Sequence, residues 1–221
     1  MENDFVHKFS SQSLADLLGK AMLEVSQDDV SFLAAGSKPE GVIRDRLAMY
    51  VHQRTDLIAA REWDNRTDLA LLSKHGPEVL IELKVWTHFD AADEKKLRKE
   101  SPKHGISGAF SSDAAKLKET GAELVKRFGM QPKLFTITVL FGVAVTDANE
   151  PFPGVVKYAG GHRQALKKFG NLNSLCDYGL QEAKKLFEKH GDTAIQYLGV
   201  GTTWGMSVRL DALVTEVVEL R

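Results

Sequence analysis

Apolar residues with helical spacing near the start of the chain predict two helices before any strand. The first helix is expected near 13–25, with Ser13 as its N-cap and Asp16 three residues later. The second is expected near 39–53, where Pro39 suits the first turn because the amide donor that proline lacks is not needed there. Each helix carries an apolar stripe on one side, so each is expected to pack against a neighbouring layer.

The spacing of apolar residues then shortens to two, which is the period of a strand. The segments are separated by the turn Asp64-Asn65 and by the break His75-Gly76-Pro77. Three strands are therefore expected as a meander, over residues 57–63, 67–73 and 79–86.

The second half of the chain mixes helices and strands. Residues 87–110, with Gly105 and Gly108, are polar and irregular and indicate a loop. A helix near 112–128 and a continuously apolar strand at 134–145 follow, and such a run is typical of a central strand buried on both faces. The remaining segments predict helices near 161–169 and 174–190 and a strand pair within 195–218. This order predicts a mixed α/β (α+β) protein with one central mixed sheet flanked by helices.

The composition is that of one folded domain. The chain has 221 residues, of which 43% are hydrophobic, and no repeat or long linker, so a single domain over 1–221 is expected. Its one cysteine excludes an intramolecular disulfide framework. No apolar run approaches the roughly 18 residues of a spanning helix, and residues 1–12 lack the features of a signal peptide. A soluble, cytoplasmic protein without a membrane partner is expected.

Charge is nearly balanced but unevenly distributed. With 29 Lys and Arg against 30 Asp and Glu, the net charge of −1 gives no general signal for nucleic acid. Residues 1–30 hold six acids and two lysines, a net charge of −4, so the rest of the chain carries +3. Positive charge is concentrated in residues 94–104 and 157–168. Any basic surface is therefore expected to be local.

The third predicted strand carries charged residues inside a core-like pattern. Glu82 and Lys84 share one strand face with Leu80 and Trp86, while the residues of the opposite face are uniformly apolar. The hairpin with the second strand places Asp68 opposite position 83 or 84, within one residue of Glu82. Two carboxylates and a lysine are therefore expected at one point of the sheet.

This combination of side chains favours metal-assisted chemistry. Two close carboxylates repel each other unless a cation compensates, and Mg²⁺ commonly binds one or two carboxylates together with substrate phosphate and water. A lysine at the same place can orient or help to deprotonate the attacking water. Glu40, at the head of the apolar stripe of its helix, is expected to face inward and join the group. Asp68, Glu82, Lys84 and Glu40 together predict hydrolysis of a phosphodiester.

The spacing of Asp68 and of Glu82-Leu83-Lys84, fourteen residues later, resembles the motif of the PD-(D/E)XK nuclease superfamily, which has the restriction-endonuclease-like fold. The resemblance covers residues 39–145, including the later helix with Asp113 and Lys116. Thr67 stands in place of the proline of the motif, which members of the superfamily often lack. It implies metal ligation by Asp68, Glu82 and the backbone carbonyl of Leu83, with Lys84 as the catalytic lysine.

The same resemblance implies that Glu40 is the first-helix acid that some family members carry, and that Mg²⁺ is the cofactor, with Mn²⁺ able to substitute. Residues 1–38, expected to be a helical N-terminal extension, and residues 146–221, expected to form C-terminal helices and strands, lie outside it.

The resemblance implies a divalent-metal-dependent nuclease that hydrolyses DNA, an endonuclease of restriction or DNA-processing type, with double-stranded DNA as its expected partner. A homodimer would suit the two strands of a duplex. Alternatives stay open. The chain could be a non-catalytic nucleic-acid-binding or protein-interaction domain on the same fold, or a toxin nuclease acting on DNA or RNA. Structurally, the pattern could also be a solvated Glu–Lys pair on an edge strand.

Two basic segments are candidates for phosphate contact. The stretch GGHRQALKK leads into a helix whose N-terminal amides, with Arg163, Lys167 and Lys168, would suit phosphate, although an ordinary solvated helix explains it equally well. Lys95 and Lys96 follow the catalytic strand in a segment that could cover substrate or be a solvated loop.

Two further residues are expected to take no part in the chemistry. His88, just beyond the catalytic strand, is expected to be exposed in a loop. Cys176 stands beside apolar residues and is expected to be buried and inert.

Overall fold

The computed structural model describes residues 9–218 and contains a six-stranded mixed sheet flanked by helices, which confirms the predicted α/β class. Its strands are β1 (Ile58–Trp63), β2 (Thr67–Ser73), β3 (Gly76–Thr87), β4 (Lys133–Val143), β5 (Thr193–Thr203) and β6 (Met206–Glu216). Their order across the sheet is β1-β2-β3-β4-β6-β5.

Eight helices lie within the described residues and cover both faces of the sheet. They are α1 (Ser11–Leu23), α2 (Gln27–Gly36), α3 (Glu40–Arg54), α4 (His88–Ala91), α5 (Glu94–Leu97), α6 (Ile106–Phe128), α7 (Ala159–Phe169) and α8 (Leu172–Phe187).

The direction of the strands explains where the long helix lies. β3 and β4 run parallel, whereas the other neighbouring strands are antiparallel. A parallel pair needs a crossover connection, and α6 supplies it. β4 lies between β3 and β6, and all of its residues after the first are buried, as its continuous apolar sequence predicts.

The two faces of the sheet pack against different helices. The helices α1, α2 and α3 cover the apolar face, to which β3 contributes Val79, Ile81, Leu83 and Val85. The helices α6 and α8 cover the other face, where Leu80 and Trp86 pack. The predicted division of β3 into two faces is therefore confirmed for its apolar residues.

Two features of the N-terminal helices differ from the prediction. The N-cap of α1 is Ser10, and Ser13 closes a capping box as the third helical residue, so the assignment of Ser13 as the cap is wrong. Helix α2 is absent from the prediction because small residues, Ser31, Ala34 and Ala35, form much of its buried face. Such small residues do not form a stripe of large apolar residues, so the sequence shows no helical period here.

The loop predicted over 87–110 is wrong in part, because α4, α5 and the first turn of α6 fall within it. Helix α6 begins at Ile106, six residues before the predicted start near 112. Gly108 lies inside this helix, where a Cβ atom would come within 2.3 Å of the Glu100 carbonyl group. This glycine therefore marks close packing of two backbone segments rather than a helix boundary.

Within residues 9–218, no helix combines the length and apolar character needed to cross a membrane. The predicted N-terminal extension begins with residues 1–8, which lie outside the described residues, as does most of the segment compared with signal peptides. Residues 219–221 of the predicted C-terminal region also lie outside the described part.

Candidate active site

The candidate site lies where β2 and β3 separate. The two strands pair from Ser73 and Gly76 at the turn to Leu69 and Ile81, and beyond this point the described residues give β3 a partner on the β4 side only. A shift in register at Leu71 and a tighter turn than predicted change the alignment. Continuing the observed pairing of Leu69 with Ile81 by one residue places Asp68 opposite Glu82. The predicted register, with Asp68 opposite residue 83 or 84, is therefore wrong by one or two residues.

Asp68 takes the place of a backbone partner at the split. Its Oδ2 atom accepts a hydrogen bond from the Leu83 N–H at 2.8 Å, and its own N–H donates to Glu82 Oε1 at 3.3 Å. Buried backbone amides need an acceptor, and the Asp68 carboxylate is the acceptor for the Leu83 N–H. The two hydrogen bonds hold the carboxylates of Asp68 and Glu82 side by side across the two strands.

Helix α6 brings two charged side chains to which the sequence prediction gave no role. Lys116 Nζ lies 2.7 Å from Glu82 Oε1 and 2.7 Å from the Arg66 carbonyl oxygen. Asp113, three residues earlier, interacts electrostatically with Lys84 and the other carboxylates. The i, i+3 spacing places both on one side of the helix. That spacing, on the long helix between β3 and β4, is the signal that could have identified them.

The turn between β1 and β2 ties the strand with Asp68 to α6. Asn65 donates from Nδ2 to Thr120 Oγ1 at 3.0 Å, and Arg127 forms an ion pair with Asp64. Asp64 and Asn65 have positive φ angles, which Asp and Asn adopt more readily than most residues. The predicted turn is thus confirmed, and its side chains anchor it to the helix.

Helix α3 reaches the same place from the other face of the sheet. Glu40, its first residue, is half-buried and interacts electrostatically with Lys84 and Asp68. Arg44 Nη1 lies 4.0 Å from Asp68 Oδ1, and its guanidinium also contacts Asp45 at 3.2 Å. The structure therefore brings Glu40 together with Asp68 and Lys84, as the apolar stripe of the helix predicts.

Burial makes the carboxyl groups of Glu82, Asp113 and Glu40 harder to ionise. Glu82 is only 3% exposed. Burial raises its pKa to about 7, an effect that the Lys116 hydrogen bond opposes and the Asp68 charge reinforces. Burial also raises the pKa of Asp113 to about 6 and raises the pKa of Glu40. The small exposed fraction of Glu82 excludes the alternative of a solvated Glu–Lys pair.

Lys84 is the central cation of the group. Burial disfavours its ammonium form, but the neighbouring carboxylates outweigh this effect and raise its pKa, with contributions from Asp113, Glu40, Asp68 and Glu82. Lys84 is therefore charged at neutral pH. Apart from Arg44, whose charge Asp45 and Glu62 also share, four carboxylates surround two lysines, so this group when fully ionised has two surplus negative charges.

The oxygen donors of this group fit a hard divalent cation. Asp68 and Glu82 present carboxylates side by side, which is the ligand type that Mg²⁺ prefers, and the surplus negative charge favours a cation. The peptide of Leu83, predicted as a backbone ligand, adjoins both, because its N–H is bound to Asp68. Across residues 9–218, no three acidic, imidazole or thiol groups are already gathered as a metal centre. Lys116 meanwhile supplies positive charge to Glu82.

A cleft of about 720 Å³ opens next to Glu40 and Lys84, and Asp68, Glu82 and Asp113 are not among the residues that line it. Glu40 and Lys84 belong to its wall, so the cleft begins at the candidate site. Lys95 and Lys96, which were predicted to contact nucleic acid, also line it. Lys96 also pairs with Asp90, and contact of these lysines with nucleic acid stays a prediction.

The other predicted phosphate contacts are not among the residues that line this cleft. Arg163 forms ion pairs with Asp147 and Glu150, so neighbouring acids already compensate its charge. Lys167 and Lys168 are exposed in the last turn of α7, at the end of the helix that favours cations rather than phosphate.

His88 is buried, so the prediction of an exposed loop histidine is wrong. It is the first residue of α4, and its Nε2 atom lies 3.0 Å from Asp211 Oδ2 on β6. Arg209 contacts the same carboxylate at 2.9 Å. Burial lowers the pKa of His88. The prediction of a loop over this segment concealed the helix that carries His88 inward.

The predicted burial of Cys176 is confirmed. Burial raises the pKa of its thiol, which therefore stays protonated and unreactive at neutral pH.

The fold and the site define a class of protein: an α/β protein with a buried carboxylate–lysine group at a split in its sheet. Comparisons of the chain with protein-family models, with curated proteins and with solved structures find no significant match. We therefore infer the function from the site itself.

Proposed function

We propose that the protein is a divalent-metal-dependent nuclease that hydrolyses phosphodiester bonds of DNA on a restriction-endonuclease-like fold. The observation that carries the proposal is the pairing of Asp68 with Glu82 by backbone hydrogen bonds, beside the charged Lys84. These residues match the PD-(D/E)XK pattern and lie on two strands of one hairpin. Mg²⁺ is the proposed cofactor, and Mn²⁺ the proposed substitute.

Asp68 and Glu82 would hold the cation, which would polarise the phosphate and stabilise the leaving oxygen. Without the metal, Lys116 is the partner that compensates the charge of buried Glu82. Because its pKa is raised, Lys84 remains an ammonium and donates a hydrogen bond to the attacking water or to a phosphate oxygen. Glu40 and Asp113 favour this charged form of Lys84 electrostatically.

The proposal predicts cleavage that requires both metal and Asp68. Plasmid DNA, linear DNA and RNA are incubated with Mg²⁺ or Mn²⁺, and Asp68→Ala is expected to lower the rate on the order of 10²-fold or more. Asp56→Asn is the matched control, because Asp56 is an exposed acid just before β1. Equal rates for wild type and Asp68→Ala on every substrate would contradict the proposal. A preference for RNA would retain the chemistry and indicate the toxin-like alternative.

Metal binding gives a readout that does not depend on choosing the right substrate. Calorimetry is expected to show Mg²⁺ or Mn²⁺ binding to wild type and its loss in Glu82→Ala. Glu123→Ala is the control, since Glu123 is an exposed acid on α6. A folded wild-type protein that binds neither metal would instead support the non-catalytic nucleic-acid-binding or protein-interaction domain.

A further inference from the structure

We infer that the cleft lined by Glu40 and Lys84 binds a single strand of nucleic acid, next to the phosphate that is cut, in preference to an intact duplex. This inference deepens the proposed nuclease function and rests on it. The cleft shares Glu40 and Lys84 with the candidate site, so a strand bound at the site would continue directly into it.

The size and shape of the cleft favour one strand over two. Its volume of about 720 Å³ falls within the range of roughly 300–1,000 Å³ that encloses a small ligand, which corresponds to one or two nucleotides. A duplex is commonly read by a helix or ribbon that projects into a groove about 12 Å wide. The charged groups here line a concave wall instead. They can therefore surround a single strand of nucleic acid, but they do not project into the groove of a duplex.

The charge of the cleft suits a phosphate backbone. Six lysines and His104 line it against two acids, Glu40 and Asp90. One of these acids positions a lysine: Asp90 pairs with Lys96 and accepts a hydrogen bond from Thr87 Oγ1 at 2.7 Å. Thr87 is the last residue of β3, so the end of the catalytic strand sets the position of this cation. A positively charged groove of this kind follows the backbone of a single strand.

Aromatic side chains lie among the lysines. Trp86, Phe89 and Tyr158 line the cleft, and Tyr158 is 44% exposed. Tyr158 has a φ angle of 61°, a left-handed conformation that is strained for a residue with a side chain. Bases of an unpaired strand expose their faces and stack on such rings, whereas bases in a duplex are already stacked. Lysines interleaved with aromatic rings therefore indicate a site for unpaired bases.

The test measures binding in EDTA, so that cleavage and metal play no part. Fluorescence anisotropy compares labelled oligonucleotides of about twelve nucleotides: single-stranded DNA, single-stranded RNA of the same sequence, and the corresponding blunt DNA duplex. Either single strand is expected to bind wild type at least about tenfold more tightly than the duplex does. Equal or tighter binding of the duplex would overturn the inference.

Two tyrosines provide a matched pair of variants. Tyr158→Ala is expected to weaken single-strand binding about tenfold, the loss typical of one stacked base, while Tyr158→Phe retains the ring and the affinity. Tyr178→Ala is the control, because Tyr178 is 48% exposed on α8 and does not line the cleft. Equal effects of Tyr158→Ala and Tyr178→Ala would contradict the stacking role.

Lysine pairs give a second measurement that does not depend on the strained tyrosine. The salt dependence of single-strand binding is measured as the slope of the logarithm of the binding constant against the logarithm of the salt concentration. The double variant Lys99→Ala/Lys103→Ala is expected to reduce the size of this slope by about 0.7 for each phosphate that a lysine no longer neutralises. The double variant Lys167→Ala/Lys168→Ala changes two exposed lysines of α7 that do not line the cleft, and it is expected to leave the slope unchanged. An unchanged slope in the cleft pair, or an equal reduction in both pairs, would overturn the inference.

The two proposals can fail separately. Asp68-dependent cleavage by a protein that prefers duplex would uphold the nuclease and reject the single-strand cleft. Single-strand binding that requires Tyr158, without cleavage in any metal, would uphold the cleft and reject the nuclease.

Discussion

At the scale of residues, Asp113 shows how the site destabilises the fold that contains it. Burial raises its pKa to about 6, so at pH 8 folding confines a charge that water would solvate better. Asp113→Asn, which has nearly the same shape, is expected to raise the free energy of unfolding by about 1–3 kcal/mol at pH 8 in EDTA. Urea unfolding measures this, and the exposed Asp56→Asn is expected to stay within about 0.5 kcal/mol of wild type. No gain for Asp113→Asn would contradict the energetic cost of burying the ionised Asp113 carboxylate.

Lys116 has the opposite effect on stability, because it is the cation paired with buried Glu82. Lys116→Met removes the 2.7 Å ion pair while keeping most of the aliphatic stem. It is expected to lower the free energy of unfolding by about 1–3 kcal/mol in EDTA, since it leaves a buried acid without its partner. The loss is expected to shrink in millimolar Mg²⁺, where the metal compensates the same carboxylate.

The control for this prediction is Lys126→Met, which changes an exposed lysine at the end of the same helix. It is expected to have little effect in either buffer. If Lys116→Met and Lys126→Met reduced stability equally, or if Mg²⁺ made no difference to Lys116→Met, the assignment of Lys116 as partner of Glu82 would fail.

At the scale of elements, α6 depends on one glycine for its position. A methyl group at Gly108 would lie 2.3 Å from the Glu100 carbonyl group, which belongs to backbone and cannot rotate away. Gly108→Ala is therefore expected to destabilise the protein by about 2 kcal/mol or more. At Gly160 in α7 nothing lies within 4 Å of the same methyl group, so Gly160→Ala is expected to be neutral or to stabilise by up to about 1 kcal/mol. Chemical denaturation of both variants checks the contrast, which equal changes would contradict.

The elements that the sequence predicts well have strong periodic patterns. The meander and the inward position of Glu40 depend on apolar residues that recur at a fixed spacing, and buried β4 depends on a continuous apolar run; each is present. The misses have physical causes of other kinds. Helix α2 buries small residues, and α6 contains a glycine that packing rather than a turn requires. The register of β2 with β3 changes at Leu71, where the irregular pairing leaves no pattern in the sequence.

The site residues divide in the same way: local patterns predict some of them, and contacts between distant parts of the chain determine the others. Asp68, Glu82 and Lys84 could be placed because strand alternation and a hairpin are local in sequence. Lys116 lies 34 residues from the carboxylate it contacts, so its role depends on how α6 crosses the sheet. His88 was misplaced because a four-residue helix turns it inward toward Asp211, and so short a helix has no periodic pattern.

At the scale of the whole molecule, the site exists because two helical layers meet at a gap in the sheet. The pairing of β2 and β3 ends at Leu69 and Ile81 while β3 continues to Thr87. Side chains from α3 and from α6 can therefore approach the same strand edge, one layer contributing Glu40 and the other Lys116. An unbroken ladder would have kept these layers apart, because the sheet would lie between them.

Acid stability of the whole molecule reflects two kinds of buried group with opposite effects. Burial lowers the pKa of His162 to about 3, from an ordinary value of 6.5. The unfolded chain therefore binds more protons than the folded one between these values, and His162 makes the fold less stable as pH falls below 6.5. Burial raises the pKa of Glu82 from 4.5 to about 7. In that window the folded chain binds more protons, and Glu82 makes the fold less stable as pH rises.

Removing each group should therefore tilt the stability curve in opposite directions. Relative to wild type, His162→Asn is expected to gain about 1.4 kcal/mol for each unit that pH falls from 6.5 toward 3. Glu82→Gln is expected to gain about 1.4 kcal/mol for each unit that pH rises from 4.5 to about 7, and no more above that. Urea unfolding in EDTA across pH 4–8 measures both slopes, and the constant cost of poorer packing at His162 shifts its curve without tilting it. Parallel curves for the three proteins would show that neither group changes its protonation on folding, and the site would then lack the buried charge on which metal binding depends.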